Sequence, residues 1–426
     1  MGVVQLVKAR ASKAPSTLAS LVGIGLVAAG CGTATHAPAG PVAPVRQRTA
    51  TQEASQSASP SCRPGASVPA GSFTSQPTLN AVRFASASDG WVVGSDRILY
   101  TADGGQHWTI QLRTNQAAGL RGVDFTDAKH GWVVGATQLL ATTDGGAHWR
   151  SLPEPCPTIR TVHFVNSLDG FAVARGQMPN PAQPPYVAGP PSGGVLLRTT
   201  DGGLHWRRLA APPDVQTVCF GNESRGWLGA GGNLYGTVNS GQSWTLAVRG
   251  PGKPSGPPTS HAIADVQCAG PGAAWAELTG PGAGLGHVPQ IGYHTFGSSW
   301  RPIFAEQYFP HPGARVRADA PSVYPGPFSA ISPSHAAFVG WCSACTMPAS
   351  PRMLGPAPLD IAMDGGATLI HRGRVAGLTE ATGASFRSVS DGWVVGIGQG
   401  SRATSMIMHT TNGGRTWQTQ FRMGSG

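Results

Sequence analysis

Three histidines, His107, His148 and His205, stand close after the aspartates Asp103, Asp144 and Asp201. Residues of these types could ligate a metal, and facing carboxylates could cleave a glycosidic bond. Their placement argues against both. Each histidine lies one residue before a tryptophan, in three different copies of one repeat. Positions at the edges of separate units are too far apart to share an ion. Each aspartate opens a Gly-rich turn, where its side chain accepts bonds from the amides of that turn. The aspartates are therefore turn builders. No catalytic residue, metal site or cofactor is assigned.

The repeat that must position these residues occurs seven times. An apolar anchor precedes a second anchor, usually Gly-Trp, by seven residues: Phe84/Trp91, Phe125/Trp132, Phe164/Phe171, Phe220/Trp227, Cys268/Trp275, Ile331/Phe338 and Phe386/Trp393. Each copy closes on a turn whose first and last residues are five apart. The pairs are Asp103 with Trp108, Asp144 with Trp149, Asp201 with Trp206, Asn239 with Trp244, Thr295 with Trp300, Asp364 with Leu369 and Asn412 with Trp417. Copies five and six are degenerate, with Thr295 and Leu369 replacing the expected types. A unit of this size cannot bury its apolar face alone and must stack on its own copies. Short runs of β-branched and aromatic residues between Gly and Asp-Gly read as four strands per copy, A to D. Strand D is expected to start at the terminal tryptophan, which packs between sheets. Seven such copies predict an all-β fold, a seven-bladed β-propeller of four-stranded antiparallel blades.

The ends read differently. Lys8, Arg10 and Lys13 precede a short apolar run over 18–30, below the roughly 20 residues of a membrane-spanning helix. Residues 1–30 therefore read as a secretory signal, and Ala29-Gly30-Cys31 as a lipidation site at Cys31. Residues 31–66, rich in Ala, Pro, Thr and Ser, cannot bury enough surface to fold and form a tether. The propeller occupies 67–426. Six cysteines follow Cys31: Cys62, Cys156, Cys219, Cys268, Cys342 and Cys345. An even number in an exported chain favours disulfides. Cys219 with Cys268, in adjacent copies, is one candidate pair, and Cys342 could close on Cys345. The net charge of +10 is carried by scattered arginines, so nucleic acid is not expected as a partner. Attraction to an anionic membrane or cell-envelope polymer is.

Thr101-Ala102-Asp103-Gly104-Gly105-Gln106-His107-Trp108 resembles the Asp-box, or BNR repeat, and the turns at Asp144 and Asp201 match it equally well. The Gly-Trp-Val-Val-Gly element resembles exported propellers similar to the photosystem II stability/assembly factor. Sortilin-type domains, sialidases and some glycanases also carry the box. The resemblance implies that the box is the turn between strands C and D.

Length variation falls in the B-to-C and D-to-A connections, which emerge on one face of an up-and-down blade. One face is therefore plain and the other elaborated, chiefly in blades five to seven, over the central channel. A partner is expected on the elaborated face. Trp341, which stands outside the repeat register, is a candidate contact. So are Tyr308, His311, Arg315, Arg317 and Tyr324 in the longest inter-blade insertion. The favoured expectation is a monomeric, lipid-anchored, extracytoplasmic scaffold that binds a protein or an envelope polymer and is not an enzyme. The alternative is a glycoside hydrolase. Glu277, Glu306, Asp319 and Glu380 could face the elaborated side, but nothing in the sequence pairs them.

Overall fold

In a computed structural model of the chain, the residues described are 78–114, 119–136, 138–153, 155, 158–175, 194–250, 264–279, 290–297, 299–306, 312–313, 315–317, 323–324, 326–342, 357–398 and 404–423. They form a seven-bladed β-propeller. Each blade is an antiparallel sheet in the order A-B-C-D. The inner strands A are Leu79–Phe84, Gly122–Phe125, Thr158–Phe164, Val215–Phe220, Ala264–Cys268, Phe328–Ser332 and Leu378–Phe386. The outer strands D are Thr109–Arg113, Arg150–Leu152, Arg207–Arg208, Thr245–Val248, Trp300–Glu306, Thr368–Arg374 and Gln418–Arg422.

The start of strand D is corrected by one residue. Trp108, Trp149, Trp206, Trp244 and Trp417 each stand just before the strand, in the last position of the turn, and only Trp300 begins it. The reason is that the indole packs on the anchor Phe of its own blade and into the core shared with the blade before, and not in the ladder of its own sheet. Trp244 meets Phe220 edge-on at 6.1 Å between centroids and 79°, and Trp417 meets Phe386 at 6.5 Å and 85°. The polar end of the ring is not used alike. Trp206 Nε1 donates to the Gly203 carbonyl at 3.0 Å. The buried Nε1 of Trp244 and that of Trp417 meet no acceptor among the described residues. What these two tryptophans contribute is therefore packing alone.

The anchors bind neighbouring blades together. The Phe of one blade stacks flat on the strand-B aromatic of the blade before it. Phe125 lies on Trp91 at 3.6 Å between centroids, Phe164 on Trp132 at 3.5 Å and Phe220 on Phe171 at 3.6 Å. The box tryptophan of the same blade then meets that Phe edge-on, as Trp149 meets Phe125 at 6.1 Å and 87°. The edge-on contact is a favoured aromatic geometry, and the flat stack buries the faces of both rings. The Gly of Gly-Trp has its own reason. Gly131 is the cross-strand partner of Phe125, and a Cβ at Gly131 would overlap the Phe125 ring. Where the anchor is Cys268, the facing residue is Ala274 instead.

The ring closes by packing and not by an exchanged strand, since every blade is continuous in sequence. Phe84 stacks on Trp393 at 3.5 Å, and Thr382 Oγ1 donates to the Leu79 carbonyl at 2.7 Å. Trp393 Nε1 donates to Gln420 Oε1 at 2.9 Å, and Gln420 Nε2 donates to the Gly104 carbonyl at 3.1 Å. Blade seven thereby holds the box turn of blade one.

The boxes are built alike in blades one to four and seven. In blade two, Thr142 Oγ1 donates to Asp144 Oδ1 at 2.8 Å and accepts the Gly146 N–H at 2.8 Å. Asp144 Oδ1 also accepts the His148 N–H at 2.9 Å. Gly145 and Gly146 have φ of 73° and 88°, the left-handed region that glycine enters without cost.

Blades five and six depart from this pattern. Register pairs Trp275 with His294, as it pairs Trp91 with Tyr100. Thr295 therefore takes the place of the box threonine Thr101 and not of the box aspartate. Thr295 also pairs directly with Trp300 and donates to the Ser299 carbonyl at 2.7 Å. The constant step of five hides a turn two residues shorter than the others. In blade six, Asp364 begins a tight 3-10 turn, and Leu369 pairs with Ala362. The first anchor there is also corrected. Phe328 is the fully buried partner of Phe338, while Ile331 is half-buried beside the turn.

Candidate binding site on the elaborated face

The inner strands are tied to one another at every junction by the residue just before the first anchor, or by its close neighbour. Asp124 Oδ2 accepts the Phe164 N–H at 2.8 Å, and His163 Nε2 bonds the Phe220 carbonyl at 2.9 Å. Gln267 Nε2 donates to the Phe328 carbonyl at 2.7 Å and its Oε1 accepts the Ala330 N–H. Ser329 accepts the Phe386 N–H and Ser385 the Phe84 N–H. Between blades one and two the tie is an ion pair of Arg83 with Asp124 at 3.8 Å. Between blades four and five it is covalent: Cys219 and Cys268, one candidate pair in the sequence, form a disulfide. These groups are consumed in holding the ring.

The three histidines each bond within their own turn. Nδ1 of His107, His148 and His205 each lies 2.6–2.7 Å from the aspartate of its own turn. The amide bond from His148, with the bond from its ring, lowers the Asp144 carboxyl to about 2. Asp103 is held low in the same way by His107. Among the described residues no group of three His, Cys, Asp or Glu is placed to hold a metal ion.

Two insertions of the elaborated side meet. A short strand, Val323–Tyr324, comes from the connection between blades five and six. It pairs antiparallel with Trp341–Cys342, which follows strand B of blade six. Tyr324 and Trp341 are register partners, so the fold brings together two residues singled out separately in the sequence. The Trp341–Cys342 strand runs beside the inner strand of blade seven, at the inner rim of this face.

Arg315 and Arg317 go elsewhere. Arg315–Arg317 adds as a parallel fifth strand to the outer edge of blade five, away from the channel. Arg315 donates to the Ala367 carbonyl in the turn of blade six and so bridges the two blades. Tyr308, His311, Asp319, Cys62, Cys156, Cys345 and Cys31 lie outside the described residues, as do the side chains of Arg317, Tyr324, Trp341, Cys342 and Glu306.

One pair of carboxylates was half missed. Glu277, buried on strand B of blade five, is the cross-strand partner of Asp265 on strand A. Both stand near the elaborated end. Burial pushes the Asp265 carboxyl above the usual range, opposed by a bond from Thr217 Oγ1 at 3.1 Å. Strand register between copies would have found it, because Asp265 lies three residues before the anchor Cys268, and Glu277 two after Trp275.

Residues 109–272 match the family described as photosynthesis system II assembly factor YCF48. The chain is an Asp-box repeat β-propeller. A solved YCF48 from Cyanidioschyzon merolae is similar at 16% identity, over 71% of this chain and 85% of that one, with a TM-score of 0.44. An ancestral GH74 enzyme is similar at 13% identity and a TM-score of 0.50, over 81% of this chain but only 46% of its own length. An oligogalacturonate lyase solved with manganese gives 9% identity and a TM-score of 0.51, over 79% and 90% of the two chains. At these identities the likenesses to the GH74 enzyme and the lyase show the fold alone. No curated protein matches the propeller in sequence.

Proposed function

We propose that this propeller is an exported, lipid-anchored and non-enzymatic scaffold that binds a protein partner in an assembly process. The partner meets the elaborated face, at the inserted strands of blade six. The observation that carries this reading is the pairing of Tyr324 with Trp341 beside the inner strand of blade seven. Two long connections that could have stayed independent are joined by a ladder, as a surface prepared for contact would be. The match of residues 109–272 to an assembly-factor family supports the same direction. Anchoring rests on the Cys31 motif and on the tether of 31–66, which would hold the propeller at a membrane surface.

The test is capture of the tethered protein from cross-linked membranes, with mass spectrometry of what is retained. One protein, or a small set, should enrich with the intact chain and fall away when Trp341 and Tyr324 are both replaced by Ser. Retention that ignores these residues would sink the reading.

Glycoside hydrolysis is the second reading, favoured by one observation. Cross-strand side chains have Cβ atoms about 4.5–5.5 Å apart, and a retaining glycosidase separates its carboxyl groups by about 5–5.5 Å. Asp265, whose carboxyl burial pushes up, would be the acid and Glu277 the nucleophile. Release of sugar from a glycan panel, abolished by Glu277→Gln, would establish it.

A further inference from the structure

The junction of blades four and five carries a crevice that the repeat closes elsewhere. It has a volume of about 250 Å³ and is lined by Arg225, Trp227, Gly236, Leu246, Ala247 and Gly297 among others. It opens at the C-to-D turns, on the face opposite the inserted strands. Two departures from the repeat create it.

The first is Gly236. In blades one, three and seven the residue paired with the strand-B aromatic covers it: Tyr100 lies over Trp91, His409 over Trp393 and Arg198 over Phe171, while blade two has the small Ala141 opposite Trp132. Gly236 is the partner of Trp227 and covers nothing. The residue before Gly-Trp changes with it. Asp89 accepts from Tyr100, Asp169 from Arg198 and Asp391 from His409. Blade four has Arg225 there, and its guanidinium has no acidic partner among the described residues.

The second departure is the short turn of blade five. Trp91 Nε1 donates to the Gly145 carbonyl at 3.2 Å and Trp132 Nε1 to the Gly202 carbonyl at 2.9 Å, each in the box of the next blade. The turn after Thr295 lacks two residues, and Trp227 Nε1 has no acceptor among the described residues. Apolar side chains stand at and beside the mouth: Val238 and Leu246 line the crevice, and Phe296 directly precedes the lining residue Gly297. Val238 is 70% exposed, Leu246 42% and Phe296 74%, three of the six large apolar side chains exposed among the described residues. Val238 and Phe296 follow the equivalent threonines Thr237 and Thr295, so adjacent blades carry apolar groups at one rim.

We propose that this crevice docks an acidic segment of a protein partner. The segment inserts one large apolar side chain beside Leu246 and sets a carboxylate against Arg225 and the Trp227 indole N–H. The size decides for a side chain over a free metabolite. Ligand pockets usually measure about 300–1,000 Å³ and enclose their ligand, whereas this crevice is smaller and open. The charge decides for an acidic segment. A cation and an N–H donor stand without acceptors among the described residues, in a chain of 30 basic and 20 acidic residues, and charge-assisted bonds reward a carboxylate there. Exposed apolar groups around such a floor mark contact with protein.

The probe is a random heptapeptide phage library panned on the full chain. Enriched peptides should carry a large apolar residue within two positions of Asp or Glu. A synthetic copy should bind at least about ten-fold more weakly to Arg225→Ala and to Phe296→Ser, the loss of one charged or one anchoring contact. Gly236→Tyr, which restores the cover found in blade one, should abolish binding with unchanged melting. Leu168→Ser, an exposed apolar site on blade three, should change nothing. The proposal is overturned if nothing enriches, if the enriched peptides lack an acidic residue, or if Arg225→Ala and Phe296→Ser bind as the parent does. It is also overturned if phenylacetate binds in the crevice while no peptide does.

Discussion

The junction between blades two and three and the junction between blades four and five solve one problem with different chemistry. At the first, Phe164 stacks on Trp132 within 3° of parallel, Trp206 meets Phe164 edge-on, and Trp132 Nε1 reaches the Gly202 carbonyl of the next box. At the second, the anchor is Cys268, the box turn is short and the Trp227 N–H reaches no carbonyl among the described residues. The disulfide between Cys219 and Cys268 stands at the junction that lacks both the stack and the clamp. Trp300 keeps its edge contact, but to Trp227 of the blade before. The comparison teaches that the repeat is a set of inter-blade fasteners. A blade may drop one where another takes the load, and the dropped fastener leaves surface free.

The largest expected difference tests the stack. Trp132→Ala should cost about 3–5 kcal/mol, the usual range for truncating a buried tryptophan, read by guanidinium denaturation. Trp227→Ala, with the disulfide intact, should cost clearly less, because no indole bond is lost there and the covalent tie remains. Equal losses would break the comparison.

Next comes the disulfide. Replacing Cys219 and Cys268 by Ala should cost about 2–4 kcal/mol and raise amide exchange first in the inner strands of blades four and five. Cys219→Ala with Cys268→Phe and Ala274→Gly should recover part of the loss. The new ring gains a stack on Trp227, and the glycine gives it the room that Gly131 gives Phe125. Failure to improve on the alanine pair would show that the two fasteners are not interchangeable.

Smaller effects test the turns. Thr142→Val removes a hydroxyl that both donates and accepts, leaving the buried Gly146 N–H without its partner, at about 1–3 kcal/mol. Thr295→Val loses a single bond to Ser299 and should cost about 1 kcal/mol. Acid should separate the boxes last. The Asp144 carboxyl is lowered from 3.8 to about 2 by its amide and ring bonds to His148. A depressed carboxyl stabilises fully above its unfolded value, and the contribution is lost as pH falls through the folded one. Exchange at the blade-two turn should therefore quicken between about pH 4 and 2, while the turns of Asn239 and Asn412 show no such step. Asp144→Asn should remove the step from blade two.

Much of this was legible because the repeat is local. Anchors seven apart are the two sides of one hairpin, and Thr-x-Asp-Gly-Gly closes on itself within six residues. The aspartates and histidines read as turn residues from spacing and turn chemistry, and each histidine ring lies on the aspartate of its own turn. Cys219 with Cys268 is one of the pairs that the sequence leaves open, and it forms. The spacing did not reveal that Trp244 and Trp417 end a turn instead of opening a strand, because the Phe that each ring meets lies on the far side of its own blade. Blade five misled because a deletion of two residues left Trp300 at the expected distance from Thr295, with its partner shifted. Blade six misled because a tighter hairpin moved the buried anchor from Ile331 to Phe328. Arg315 read as a contact residue of the channel face, yet its strand docks on the outer edge of blade five. Sequence position within a long connection says nothing of the edge to which it returns.

The amino-acid sequence by itself determined the unit, the number of units and the chemistry of the five regular turns, since those depend on residues within one hairpin of each other. The tertiary structure decided how the ring closes, through Phe84 on Trp393 and Gln420 on the blade-one turn. It decided that Tyr324 meets Trp341, and that Arg225, Trp227 and Gly236 face an open crevice. Those facts depend on which blade stands beside which, and on what the neighbour fails to supply. A missing carbonyl or a missing side chain leaves no mark in the residues that would have met it.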